Sequence, residues 1–165
     1  MFQSGMNLRL LAFALIALSA CTSPSGDEPA AATEACEPDS TIAEPLIGPE
    51  AEARTDGSFE AWALFFNTFP MRPDGEPIEI PVDTEIKIVW RVAGEGDLAI
   101  EALGPRETSI DPDWGPEIHG GSNWDRPGHE WGTGWTFPEV GCWTFEIHRG
   151  DSTAQLSIDI HEGSR

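Results

Sequence analysis

Apolar residues recur at every second position in several stretches of this sequence, and each such stretch predicts a strand. In Glu85–Val92, Ile86, Ile88, Trp90 and Val92 point one way and Lys87 and Arg91 the other. Trp143, Phe145 and Ile147 share one face of an extended segment, as do Leu156, Ile158 and Ile160 further on. Between those two sets lies His148-Arg149-Gly150-Asp151-Ser152, whose Gly-Asp pair suits a tight turn, so a C-terminal hairpin is expected. Residues 59–66 (FEAWALFF) are apolar on both sides after Glu60 and read as a strand covered on both faces. Residues 77–82 (PIEIPV) alternate, but Pro77 and Pro81 restrict them to an edge strand or an extended connector. Residues 97–103 follow Gly94-Glu95-Gly96, a short turn that predicts a second hairpin with Glu85–Val92.

No stretch after Arg54 combines a 3.6-residue apolar period with helix caps. Short strands, frequent turn signals and Trp90 in a middle strand predict an all-β domain, an immunoglobulin-like antiparallel β-sandwich over residues 56–165. That length is enough for one core and too little for two. Residues 21–55 differ in composition: they are rich in Pro, Ala and Glu, with only Ile42, Leu46 and Ile47 as large aliphatic side chains. Such a segment buries too little surface to offset its ordering entropy and is expected to be a flexible tether, with a span of roughly 30–35 Å as a coil.

Residues 1–20 have the form of an export signal. Arg9 supplies a basic start, Leu10 to Leu18 form an apolar run too short to span a bilayer, and small residues follow. The run ends in Leu18-Ser19-Ala20-Cys21, which resembles the lipobox of bacterial lipoproteins. That resemblance implies a lipid on Cys21, a membrane as partner and an address in the bacterial cell envelope. An ordinary secretory signal, with Cys21 an unmodified thiol, is the alternative. With Cys21 assigned to lipid, Cys36 and Cys142 remain as an even pair in an exported chain, and a disulfide between them is expected. Closing that loop of about 105 residues would contribute roughly 4.7 kcal/mol in the chain-entropy model. Cys142 alternates with Trp143, Phe145 and Ile147, so the bridge would lie on the outside of the sandwich.

Residues 109–133 (SIDPDWGPEIHGGSNWDRPGHEWGT) lose the alternation and predict the one long irregular loop of the domain. Three readings compete for it. Its tryptophans can fold under as a satellite core, with Asp and Asn capping turns. They can instead form a ligand surface in which Trp114, Trp124 and Trp131 stack on a glycan or a partner protein and His119, Asn123, Asp125, Arg126 and His129 orient it. A metal is the third option, Ca²⁺ on Asp111, Asp113 and Glu117, or a transition metal on His119 and His129 with a carboxylate. No cofactor is indicated. The sequence has no Gly-x-Ser-x-Gly, HExxH or phosphate-cradling glycine motif, so catalysis is the weakest reading. Arg149-Gly150-Asp151 spells an adhesion tripeptide, but a plain hairpin turn explains it better.

All 29 acidic residues lie beyond residue 20, against eight basic ones there, and Lys87 is the only lysine. Phosphate neutralisation is out of reach, which excludes nucleic acid as a partner. Three segments, Lys87 to Arg91, His119 to Gly128 and Phe137 to Trp143 with its FPxxGCW pattern, resemble uncharacterised bacterial envelope lipoproteins that carry a C-terminal immunoglobulin-like domain. The resemblance implies that fold, that address and pairing of Cys142 with an N-terminal cysteine. The resulting expectation is a lipid-anchored, surface-exposed binding module using the 109–133 loop. A non-binding spacer domain and a metal-binding envelope protein are the alternatives.

Overall fold

The computed structural model describes residues 39, 42–44, 48–55, 57, 59–66 and 79–163. The signal segment, Cys21 and Cys36 lie outside them. Among the described residues there is no α-helix; twelve strands form two sheets.

The first sheet has the order β1 (Ile42–Glu44), β2 (Gly48–Glu52), β4 (Ala61–Phe66), β6 (Glu85–Val92), β10 (His129–Thr136) and β9 (Trp114–His119), antiparallel throughout. The second has the order β3 (Arg54–Thr55), β12 (Ser152–His161), β11 (Gly141–Arg149), β7 (Leu98–Leu103) and β8 (Ser109–Ile110). The short β5 (Glu79–Pro81) joins β12 in parallel, the role its flanking prolines allow.

The alternating stretches behave as their pattern dictates. Strands β11 and β12 form the expected hairpin, paired from Gly141↔Ile160 to Arg149↔Ser152. Trp143, Phe145, Ile147, Leu156, Ile158 and Ile160 are all buried on its inner face. Facing them from the first sheet are Ile86, Ile88, Trp90 and Val92 of β6 with Trp131 and Trp135 of β10. The rings meet edge to face: Phe145 lies 5.1 Å from both Trp90 and Trp135, at 75° and 71°. Thr133 is the polar pin of this layer. Its Oγ1 accepts the indole N–H of Trp90 and of Trp135, each at 2.8 Å, and donates to Ile88 O at 3.3 Å.

Three expectations need correction. The tether predicted over residues 21–55 does not extend that far, because β2 and β3 are strands of the two sheets. The inward side chains there are Ala51 and Ala53, which pack tightly against Ala61 and Ala63 because they are small, so a search for large aliphatic residues misses them. The hairpin predicted around Gly94-Glu95-Gly96 does not form. Both edges of β6 are taken by β4 and β10, so the chain crosses at those glycines and β7 pairs with β11 in the other sheet. The segment 109–133 is not one irregular loop either: it contains β8, β9 and the first part of β10, leaving a short link at 111–113 and the loop 120–128. Its Gly and Pro content fits β9 because that strand lies at a sheet edge, and Pro116 sits there without breaking an inner ladder.

Candidate functional site

The outer face of the first sheet carries a second apolar cluster, separate from the main core. Trp62 and Leu64 of β4, Val89 of β6 and Trp124 of the 120–128 loop form it, with Phe66 packed at its margin. The loop reaches this face by crossing back over β6 and β4. It is clamped at both ends and at its tip. Arg91 holds the return, with Nη1 donating to Gly128 O at 3.1 Å and Nη2 paired with Glu130 at 3.0 Å. Glu130 also accepts from Ser122 Oγ, which in turn accepts from Trp124 N at 3.1 Å.

At the tip, Trp124 Nε1 and Arg126 both donate to the carboxylate of Glu50, which is fully buried on β2. The Arg126 guanidinium lies 4.2 Å from the centre of the Trp62 ring. Burying a carboxylate in this way is tolerable only with a paired cation and its lone pairs filled, and both conditions are met.

The remaining predicted residues scatter. Trp114, on β9, is half-buried and lies flat across β10, where Gly132 and Gly134 present no side chain. A Cβ on Gly134 would stand 1.9 Å from Trp114 Nε1, and one on Gly132 would stand 2.6 Å from His119 Nε2. Trp131 points into the main core. Asn123 and Asp125 are exposed on the loop. His129 turns its Nδ1 to Arg149 Nη2 at 2.6 Å, and Arg149 also bonds Gly96 O and Val92 O, so it is a buried strut between sheets. The Arg-Gly-Asp tripeptide is thereby a structural turn with its arginine hidden.

The flat stacking surface expected of three tryptophans is therefore absent. Trp124 and Trp131 are only 3% and 9% exposed, and their rings serve the satellite cluster and the core. What the loop does build is a cleft of about 360 Å³ beside Trp124. Leu64, Phe66 and Val89 give it an apolar floor; Lys87, His119, Asn123 and Glu130 stand around it. Phe66 keeps part of its ring open, with Lys87 Nζ 5.6 Å from the ring centre. Of the eight residues expected to bind a ligand, His119, Asn123 and Trp124 line this cleft; Phe66, Lys87 and Glu130 were not foreseen. The isolated lysine on the polar side of β6 was the available signal. Asp111, Asp113, Glu117, His119 and His129 do not gather into a metal-ligand group. Among the described residues the one such trio is Glu101, Glu146 and His148, in the other sheet.

No family model matches the chain, and no curated protein matches it at a significant level. Among the described residues, no helix is long and apolar enough to cross a membrane.

Proposed function

We propose that this protein is an exported, lipid-anchored binding module of the bacterial cell envelope, and that its ligand contacts the cleft beside Trp124. The observation that carries the reading is the composition of that cleft. An apolar floor with one part-open aromatic ring is surrounded by a cation, an imidazole, an amide and a carboxylate. Sugars have the complementary profile, an apolar C–H face and a rim of hydroxyls, and the volume lies at the lower end for small-molecule sites. The ligand class is a glycan unit of one or two rings. Binding rather than catalysis is the reading because the loop is clamped into a fixed shape: the Ser122–Glu130 pair at the cleft serves that clamp, with Ser122 Oγ accepting from Trp124 N and Glu130 paired with Arg91.

The address rests on the signal-like residues 1–20 and on Leu18-Ser19-Ala20-Cys21. An immunoglobulin-like pedigree is supported by Trp90 packed between two antiparallel sheets and by strands that cross from one sheet to the other. A Cys36–Cys142 bridge completes the reading. Its support is that Asp39, three residues beyond Cys36, is tied to β12. Asp39 N donates to Ser157 O at 2.9 Å and Asp39 Oδ2 accepts from Ser157 N at 2.7 Å, two residues from the partner of Cys142 in the ladder, Asp159.

The test is a titration of the mature chain with envelope-derived oligosaccharides, read by intrinsic tryptophan emission. A saturable change that K87A and F66A both weaken supports the reading. Silence across the panel from a folded chain counts against it and favours a spacer domain. Metabolic labelling with a palmitate analogue tests the anchor, with C21S expected to take up no label.

A further inference from the structure

The outer face of the second sheet, opposite in the sandwich to the cleft just described, brings together three metal-binding side chains. Glu146 and His148 are two residues apart on β11 and so share a face, and Glu101 of β7 is the direct cross-strand neighbour of Glu146. One ligand atom from each lies within 4.8 Å of the others. All three side chains are half-buried, held on paired strands rather than on a loop. His148 Nε2 stands 3.6 Å from Glu146 Oε2, and Gln155 of β12 donates to the other Glu146 oxygen at 3.1 Å, fixing the carboxylate from behind.

We infer that Glu101, Glu146 and His148 form a binding site for a divalent first-row transition ion, with Zn²⁺ as its natural probe. The donor set fits that class. One imidazole nitrogen and two carboxylate oxygens suit Zn²⁺ and its neighbours, whereas Ca²⁺ and Mg²⁺ prefer oxygen alone. Around a tetrahedral ion with bonds near 2.0–2.2 Å, donors stand about 3.3–3.6 Å apart, so small rotations about the side-chain bonds close the site.

The sheet supplies an independent reason to expect a cation. Two carboxylates placed directly opposite each other on adjacent strands repel. Among the described residues neither has an arginine or lysine partner; the nearby Arg54 is committed to Asp39 and Ser157. A divalent ion converts that repulsion into attraction. Three protein ligands leave an open coordination position, and beside them runs a groove of about 310 Å³ lined by Arg54, Thr153 and Gln155 as well as Glu146 and His148. The ion would therefore be reachable by water or by an anionic group entering the groove.

The experiment uses the mature chain, stripped with chelator and titrated with ZnCl₂ against a chromophoric competitor. One equivalent of Zn²⁺ should bind. H148N and E146Q should each weaken binding by about tenfold or more, and E101Q by several-fold. H119N and H129N should leave it unchanged. All three ligands point outward from the second sheet, so the core beneath them is untouched; circular dichroism checks this. A second measurement does not depend on any variant: Mn²⁺ added to isotopically labelled wild-type chain should broaden the resonances of residues 100–102 and 145–149 first. Absence of Zn²⁺ binding at millimolar metal, affinity unaffected by H148N, or broadening centred elsewhere would each overturn the assignment. Because this face is remote from the Trp124 cleft, K87A and F66A should leave Zn²⁺ affinity as it is, so the two sites succeed or fail separately.

Discussion

Trp124 donates its indole N–H to the buried carboxylate of Glu50, 74 residues earlier in the chain, at 2.5 Å. The contact ties the tip of the 120–128 loop to β2, across β4 and β6, and Arg126 supplies the counter-charge. Replacing Glu50 with Ala removes the buried acceptor that Trp124 Nε1 and Arg126 share beside the Trp62 ring. Breaking a buried pair typically costs about 3–5 kcal/mol; Arg126 is about a quarter exposed and can find water, so about 2–3 kcal/mol is expected for E50A. Urea unfolding followed by Trp emission measures it. A native emission maximum shifted to the red would show the loop lifted away. An unchanged midpoint would mean the loop is held by packing alone.

That contact also marks where sequence reasoning stopped. The period-two pattern is a local property, and it placed β6, β11 and β12 with their inward faces because each buries one side against the opposite sheet. It could not show which strands become neighbours. The order of the first sheet pairs β4 with β6 and β6 with β10, so the glycine turn after β6 is a crossing and not a hairpin tip. Composition misread β2 because alanine, glutamate and proline carry no strand signal by themselves. Glu50 is buried there only because Arg126 and Trp124 arrive from far along the chain. The loop's tryptophans were legible as special, but whether a ring faces water or a sheet depends on the sheet's outer face, and that face is assembled from three separate segments.

Thr133 makes the second prediction. Its hydroxyl is fully buried, accepts two indole N–H groups and donates to Ile88 O, using every position it has. Valine is nearly the same shape but offers no acceptor. T133V leaves the N–H groups of Trp90 and Trp135 desolvated and unpaired, at about 1–3 kcal/mol each, so a loss of about 2–6 kcal/mol is expected. T133S, which keeps the oxygen, should lose less than half of that. Equal losses in thermal or urea unfolding would show that the methyl group matters and the hydrogen bonds do not.

Gly134 makes the third. Its bare α-carbon is what lets the Trp114 ring lie across β10, with Trp114 Nε1 3.4 Å from Glu85 Oε1. G134A drives a methyl group against the face of that ring. Trp114 lies at the sheet edge and is half-buried, so it can swing outward, and the expected cost is about 1–2 kcal/mol rather than that of an overpacked core. Acrylamide quenching should rise for one tryptophan. W114A should cancel most of the added cost in a double-mutant cycle, because it removes the group that clashes. Additive losses would place the strain in the β10 backbone.

Arg149 and Asp151, two residues apart in one turn, should respond in opposite ways to substitution. Arg149 is 4% exposed and spans the sandwich, bonding Val92 O and Gly96 O at the β6–β7 crossing and His129 on β10, with its guanidinium 5.6 Å from the Trp131 ring. Three hydrogen bonds from one charged group hold the point where the chain passes between sheets. R149A therefore leaves the buried Val92 carbonyl without this donor, while the exposed Gly96 can turn to water, and should cost about 2–3 kcal/mol. R149K keeps the charge but cannot fork to three acceptors, and should recover no more than half. Asp151 is exposed at the tip, so D151A should stay within about 0.5 kcal/mol of the parent. An adhesion motif would show the reverse: normal stability in both variants and loss of cell attachment in each. Chemical unfolding together with an attachment assay on the four chains separates the two cases, and a stable R149A chain would remove Arg149 as the strut between the sheets.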